Sequence, residues 1–178
     1  ISEDILNKPG KLSEEEYKEM KRHSVFGFKM ARKNDMITED TAKGILTHHE
    51  RYDGTGYPLG IKGDKIPLFG KVLGIVDTFD AITSDRVYKE GCSPFEAIKL
   101  FHDKTIGAFD FRLVKIFLDK IPNYFVNEEV LLSDGRKAKI IYINPRQPDK
   151  PIIEVDGNYI DLFSNDDIEV KKLIKDFG

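Results

Sequence analysis

The densest chemistry in the chain is the stretch His48-His49-Glu50-Arg51-Tyr52-Asp53-Gly54-Thr55-Gly56-Tyr57-Pro58. Two adjacent histidines end an apolar run, an acid follows at once, and the chain then turns. Imidazole and carboxylate are costly to bury without partners, and a metal ion is a partner suited to both. Half of the chain's four histidines lie here. On a helix, His48 would be turned about 100° from His49, so the pair could address one concave site from different sides, or two metals. One buried and one solvated histidine fits the spacing equally well. His23 lies three residues from Met20 and, taken alone, reads as an ordinary histidine at the edge of a core. Asp77 is a mid-helix acid flanked by Val76, where an unpaired carboxylate is costly, and it reads as a ligand. Asp80 alone reads as solvated, and His102 as a surface histidine. The segment from Thr83 to Lys89 gathers Arg86 and Lys89 among hydroxyls, which suits an anion contact or a plain exposed loop.

These residues need a scaffold, and the scaffold is legible. The chain has 178 residues, 40% apolar and 33% charged, in the range of an ordinary soluble protein with one domain or two small ones. A net charge of −3 does not suggest general binding to nucleic-acid polymers or membrane surfaces. One cysteine, Cys92, allows no internal disulfide and fits a cytoplasmic setting. No apolar run approaches a membrane span. The chain opens on Ile1 rather than Met, and its first residues read like the middle of a domain, so a fragment is expected.

Ser13 with Glu16 forms a capping box that starts a helix over 13–33, with Tyr17, Met20, Ser24, Gly27, Met30 and Ala31 on its buried face. Thr38 caps a second helix, on which Ala42, Ile45, Leu46 and His49 share a face. Residues 53–67 form a loop. A third helix spans 70–84, with Val72, Ile75, Val76, Phe79 and Ile82 as its apolar face. Ser93 and Glu96 form a second capping box for a helix to about 102, and a last helix covers 111–120. Beyond Pro122 the pattern becomes short β-type runs at 130–132, 138–143, 152–155 and 159–162, with hairpin signals at Asp134-Gly135 and Asp156-Gly157-Asn158. A short amphipathic segment at 166–175 closes the chain. The expected class is α+β: an all-α helical bundle over 1–122 followed by a small antiparallel β-rich module over 123–178.

Residues 1 to about 121 resemble the HD-GYP domain, a branch of the HD metal-dependent phosphohydrolases. The likeness is carried by residues 4–12, by Met20-Lys21-Arg22-His23, by the eleven residues from His48 to Pro58, and by residues 76–88. It implies a helical domain that holds two or three divalent metals, commonly iron or manganese, and hydrolyses cyclic di-GMP to the linear dinucleotide or to GMP. By motif position, His23, His48, His49 and Asp77 match metal ligands. Arg86 and Lys89 match phosphate-holding residues, Asp80 matches a guanine contact, and Tyr57 belongs to the Gly-Tyr-Pro loop that shapes the site. Asp53 and Gly54 look structural. The family's His-Asp pair and its lysine would stand just ahead of Ile1, so no catalytic residue of that kind is expected within the chain, and truncation is favoured over loss. The four ligands present suffice for one metal but not for a bridged pair. The other readings are a degenerate HD-GYP module that senses nucleotide or docks a diguanylate cyclase domain, and a hydrolase of another phosphoester.

Overall fold

The computed structural model describes residues 1–83, 93, 95–98, 101, 107–144, 147–165 and 167–174. Arg86, Lys89 and His102 lie outside the described residues. The chain divides into two compact units, one of residues 1–90 with 105–114, the other of 91–104 with 115–178.

The first unit contains α1 (Glu3–Leu6), α2 (Glu14–Lys21), α3 (His23–Ala31), α4 (Glu39–Thr47) and α5 (Leu68–Thr83). The capping box forms: Ser13 Oγ accepts the Glu16 N–H at 3.2 Å, and the Glu16 carboxylate accepts the Ser13 N–H at 2.6 Å. The single helix expected over 13–33 is two helices, broken at Arg22. There the Arg22 N–H bonds the Glu19 carbonyl at 3.0 Å, a three-residue closure that tightens the turn. The side chains of His23 and Ser24 take the carbonyls of Met20 and Lys21 at the same junction, at 2.7 and 3.2 Å. The break turns the face expected to be continuous. Ser24 and Ala31 are buried, whereas Tyr17 and Met30 are exposed.

Thr38 caps α4 by accepting the Thr41 N–H at 3.2 Å. The helix ends at Thr47, so both adjacent histidines follow it rather than ride on it. α4 packs between α3 and α5. Its approach to α5 is close because small residues line it. A Cβ on Gly44 would lie 2.6 Å from the Phe69 Cβ, and one on Gly74 would lie 2.5 Å from the His48 carbonyl oxygen. The buried face of α5 is therefore Gly70, Gly74, Ile75 and Phe79. Val72 and Val76, expected on that face, are exposed. Among the described residues no helix is long and apolar enough to cross a membrane.

In the second unit, Ser93 Oγ accepts the Glu96 N–H at 3.1 Å, and residues 95–98 are helical. α6 spans Phe111–Lys120. A five-stranded antiparallel sheet follows, in the order β4-β3-β2-β1-β5. Its strands are β1 (Glu129–Leu132), β2 (Lys137–Asn144), β3 (Gln147–Val155), β4 (Asn158–Asp161) and β5 (Val170–Leu173). The turn between β3 and β4 uses left-handed Asp156 (φ 50) and Gly157 (φ 80), as its sequence signals. The closing segment becomes a strand because β1 offers it an open edge, pairing Val130 with Leu173. Phe95 joins Val130, Leu132, Ile140, Ile153 and Leu162 in one core. The α+β class holds.

The Gly44 contact is a packing constraint with a measurable cost. Gly44→Ala gains helix propensity but drives a methyl into Phe69, so it should destabilise the protein by about 1–3 kcal/mol. Thermal unfolding would read this as a fall in Tm; an unchanged or raised Tm would show that the helices can part freely.

Candidate metal centre

Three imidazoles meet where α3 begins and α4 ends. His23 Nε2 lies 3.2 Å from His48 Nε2 and 3.0 Å from His49 Nε2. One candidate ligand atom from each of the three falls within 4.8 Å of the others. The orientation of two rings is fixed by backbone. His23 Nδ1 sits 2.7 Å from the Met20 carbonyl, and His48 Nδ1 sits 2.7 Å from the Ile45 carbonyl. A carbonyl can only accept, so each Nδ1 carries the hydrogen, and in the neutral ring each Nε2 keeps its lone pair. Two lone pairs then face each other at 3.2 Å. A single N–H from His49 can serve one of them but not both. An electrophile shared by all three resolves the conflict, and an imidazole that donates its other N–H to a carbonyl is the usual posture of a metal ligand. The donor set therefore fits a divalent metal.

Electrostatics keep His48 and His49 unprotonated. Burial pushes His49 down to about 3, with the charges of His48, His23 and Arg51 acting in the same direction. Burial also lowers His48, against the opposing pull of the Ile45 carbonyl and Asp77. Neutral imidazoles offer lone pairs at neutral pH.

Of the other expected site residues, Asp77 stands at the edge of this cluster. Its Oδ2 is 3.9 Å from His49 Nδ1 and its side chain is 50% exposed. It is not the buried mid-helix acid that the apolar sequence around it suggests, because Val76 and Leu73 are themselves exposed. Asp80 is exposed on the same helix. Tyr57 stacks on His49, with ring centroids 4.7 Å apart and planes 28° apart. Burial, followed by nearby Tyr17, pushes its phenol up to about 12.

The loop that carries Tyr57 folds back on the histidines. The Tyr57 N–H bonds the His49 carbonyl at 3.3 Å. Gly56 has no room for a side chain against His49, Glu50 and Arg51 backbone. Asp53 Oδ1 accepts the Thr55 N–H at 2.9 Å and its hydroxyl at 2.7 Å, a turn-forming role.

Three neighbours of the cluster have no role in the sequence reading. Arg51 lies over the Phe109 ring, 4.8 Å from its centroid, with its Nη1 donating to the Glu50 carbonyl at 3.1 Å. The Lys21 ammonium lies over the rings of Tyr17 and Tyr57, 4.9 and 5.7 Å from their centroids. Glu50 is buried. The position of Glu50 and Arg51 inside the histidine-to-proline stretch was a signal available in the sequence. Lys21 lies in the Met20–His23 stretch that carries the likeness, but the rings it meets depend on the break at Arg22.

The lowered histidines make stability pH-dependent. The unfolded chain takes up protons near 6.5 that the folded metal-free protein refuses until well below that value. Their contribution is fully present above about 6.5 and is lost as pH falls below it, for His49 down to about 3, at no more than about 1.4 kcal/mol per pH unit for each histidine. Thermal melts of metal-free protein between pH 7.5 and 5 should show Tm falling with pH. A His48→Asn, His49→Asn variant should show a flatter profile; an equally steep one would refute the assignment.

A family model described as "HD domain" matches residues 3–113. Among curated relatives, a cyclic di-GMP phosphodiesterase of Pseudomonas aeruginosa is 35% identical over 155 residues, covering 87% of this chain and 37% of the relative. A cyclic di-GMP phosphodiesterase of Thermotoga maritima is 41% identical over 118 residues, covering 61% of this chain and 32% of the relative. A 3'3'-cGAMP-specific phosphodiesterase of Vibrio cholerae is 41% identical over 120 residues, covering 67% and 23%. The chain thus spans a minor part, 37% and 32% in the first two cases, of the relatives it matches. With its three converging imidazoles, its Gly-Tyr-Pro loop and this match, the chain belongs to the HD domain family, in its HD-GYP branch.

Proposed function

We propose that this chain forms part of a metal-dependent phosphodiesterase that hydrolyses cyclic di-GMP to the linear dinucleotide or to GMP. The observation that carries the reading is the convergence of three imidazoles on one point, with the His23 and His48 rings turned so that each Nδ1 meets a carbonyl and each Nε2 faces the others. In this reading His23, His48, His49 and Asp77 are the metal ligands, and the metal is iron or manganese, both of which accept imidazole with carboxylate. A metal held there supplies Lewis acidity toward a phosphoryl oxygen and acidifies a coordinated water.

The chain's own residues do the rest. Tyr57 presents a flat ring over His49 that limits how a substrate enters. Lys21, held over that ring, places a cation beside the site for a phosphate. Arg86 and Lys89 grip the phosphates, the first with a planar fork and the second as a point charge. Asp80 contacts guanine. Local cations together with the metal let a chain of net charge −3 take a dianionic substrate. The single cysteine fits a cytoplasmic enzyme.

A second substrate, 3'3'-cGAMP, is favoured by the relatives of that specificity. It differs from cyclic di-GMP only in one base, so the same metal and phosphate contacts would serve.

The test uses the full-length protein, both cyclic dinucleotides and product analysis. Chelation should abolish hydrolysis, and Mn²⁺ or Fe²⁺ should restore it. A His48→Ala, His49→Ala variant should lose at least about a hundredfold in kcat/KM and fail to recover with metal. A variant that keeps full activity would overturn the site; hydrolysis of neither dinucleotide would overturn the substrate class.

A further inference from the structure

Glu50 follows His49 directly and is 3% exposed. One carboxylate oxygen, Oε1, accepts the Leu59 N–H at 2.6 Å. The other, Oε2, is shielded from solvent and has no hydrogen-bond partner among the described residues. A buried carboxylate with an idle oxygen costs free energy. Among the described residues the Leu59 N–H is the one hydrogen-bond partner that offsets this cost.

That bond crosses the Gly-Tyr-Pro loop. Leu59 lies two residues beyond Tyr57, and its side chain is exposed, so packing does little to hold it. Within 56–59 the other backbone tie is the longer one from the Tyr57 N–H to the His49 carbonyl, at 3.3 Å. Glu50 thus holds the far end of the segment that lays the Tyr57 ring on His49.

The three imidazoles differ in a way that gives this consequence. His23 and His48 are each oriented by a carbonyl 2.7 Å from Nδ1. Among the described residues His49 has no such anchor: its Nδ1 has Asp77 Oδ2 at 3.9 Å, beyond hydrogen-bond reach. Its ring is oriented by its contacts with the other imidazoles and by the Tyr57 ring stacked on it.

We infer that Glu50 is a positioning residue that orients His49 at one remove: it clamps the Leu59 N–H, the clamp seats Tyr57, and Tyr57 fixes the His49 imidazole. The clamp is a property of this chain with or without metal. Its effect on metal affinity rests on the metal centre proposed above.

The experiment follows the ring signals of histidine-labelled, metal-free protein by NMR, with metal affinity measured in parallel by Mn²⁺ titration. Tyr57→Leu defines the His49 signal that lacks the tyrosine ring current. Glu50→Ala should move His49 to that position and weaken Mn²⁺ binding about 10–100-fold. Glu50→Gln keeps an acceptor for Leu59 and should hold both near wild type, within about threefold in affinity. Leu59→Pro removes the N–H donor at an exposed residue while also fixing φ and replacing the side chain; it should reproduce Glu50→Ala, whereas Leu59→Ala, which keeps the N–H, should not, and the pair keeps the test alive if Glu50→Ala does not fold. Should Glu50→Ala and Leu59→Pro both leave the His49 signals unchanged, the proposal fails; a lowered Tm with unmoved signals would make Glu50 a loop staple and nothing more. Should wild type bind no Mn²⁺, the metal reading fails while the NMR comparison still decides the role of Glu50.

Discussion

The bonds from His23 Nδ1 to the Met20 carbonyl and from His48 Nδ1 to the Ile45 carbonyl are each 2.7 Å long. Each fixes a tautomer, and with it the direction in which a lone pair points. The two lone pairs point at one another, which is unfavourable in a site without a shared electrophile and useful in one with it. The break at Arg22 matters for the same reason. It makes His23 the first residue of a new helix, close enough to the Met20 carbonyl to be oriented by it. The end of α4 at Thr47 does the equivalent for His48.

Burial and convergence act together here. Desolvation holds His48 and His49 neutral, and neutral imidazole is the ligand form. The helices reach this arrangement through close contact, since Gly44 and Gly74 let α5 approach α4 and the residue after it closely. A site built on helix ends and backbone carbonyls is held more firmly than one on free loops. The exception is His49, which is seated by an aromatic stack and not by a carbonyl. Elsewhere in the unit, Lys71 and Arg112 close on Asp110, which is held well below the usual carboxylate range, first by Arg112. That cluster is charge-balanced with Asp64 and belongs to the scaffold.

Much of this was legible in the linear chain, and for identifiable reasons. Capping at Ser13, Thr38 and Ser93 is local chemistry, set within four residues, and all three caps form. The Asp-Gly-Asn turn between β3 and β4 is likewise local. What depended on neighbours was less legible. The apolar residues of α5 gave a face by periodicity, but α4 selected a different one, centred on glycines, and left Val72 and Val76 outside. The last strand had no strong pattern of its own and was decided by the open edge of β1.

The sequence by itself determined the ligand types, the family likeness and the α+β order of elements, because these follow from residue identity and short spacings. Only the tertiary structure decided that His23, 25 residues before His48, meets it at 3.2 Å, that Asp77 stops at the rim, and that Lys21 and Glu50 flank the site. Those outcomes depend on where a helix breaks and which carbonyl a ring nitrogen finds, and both are settled by packing between segments far apart in the chain.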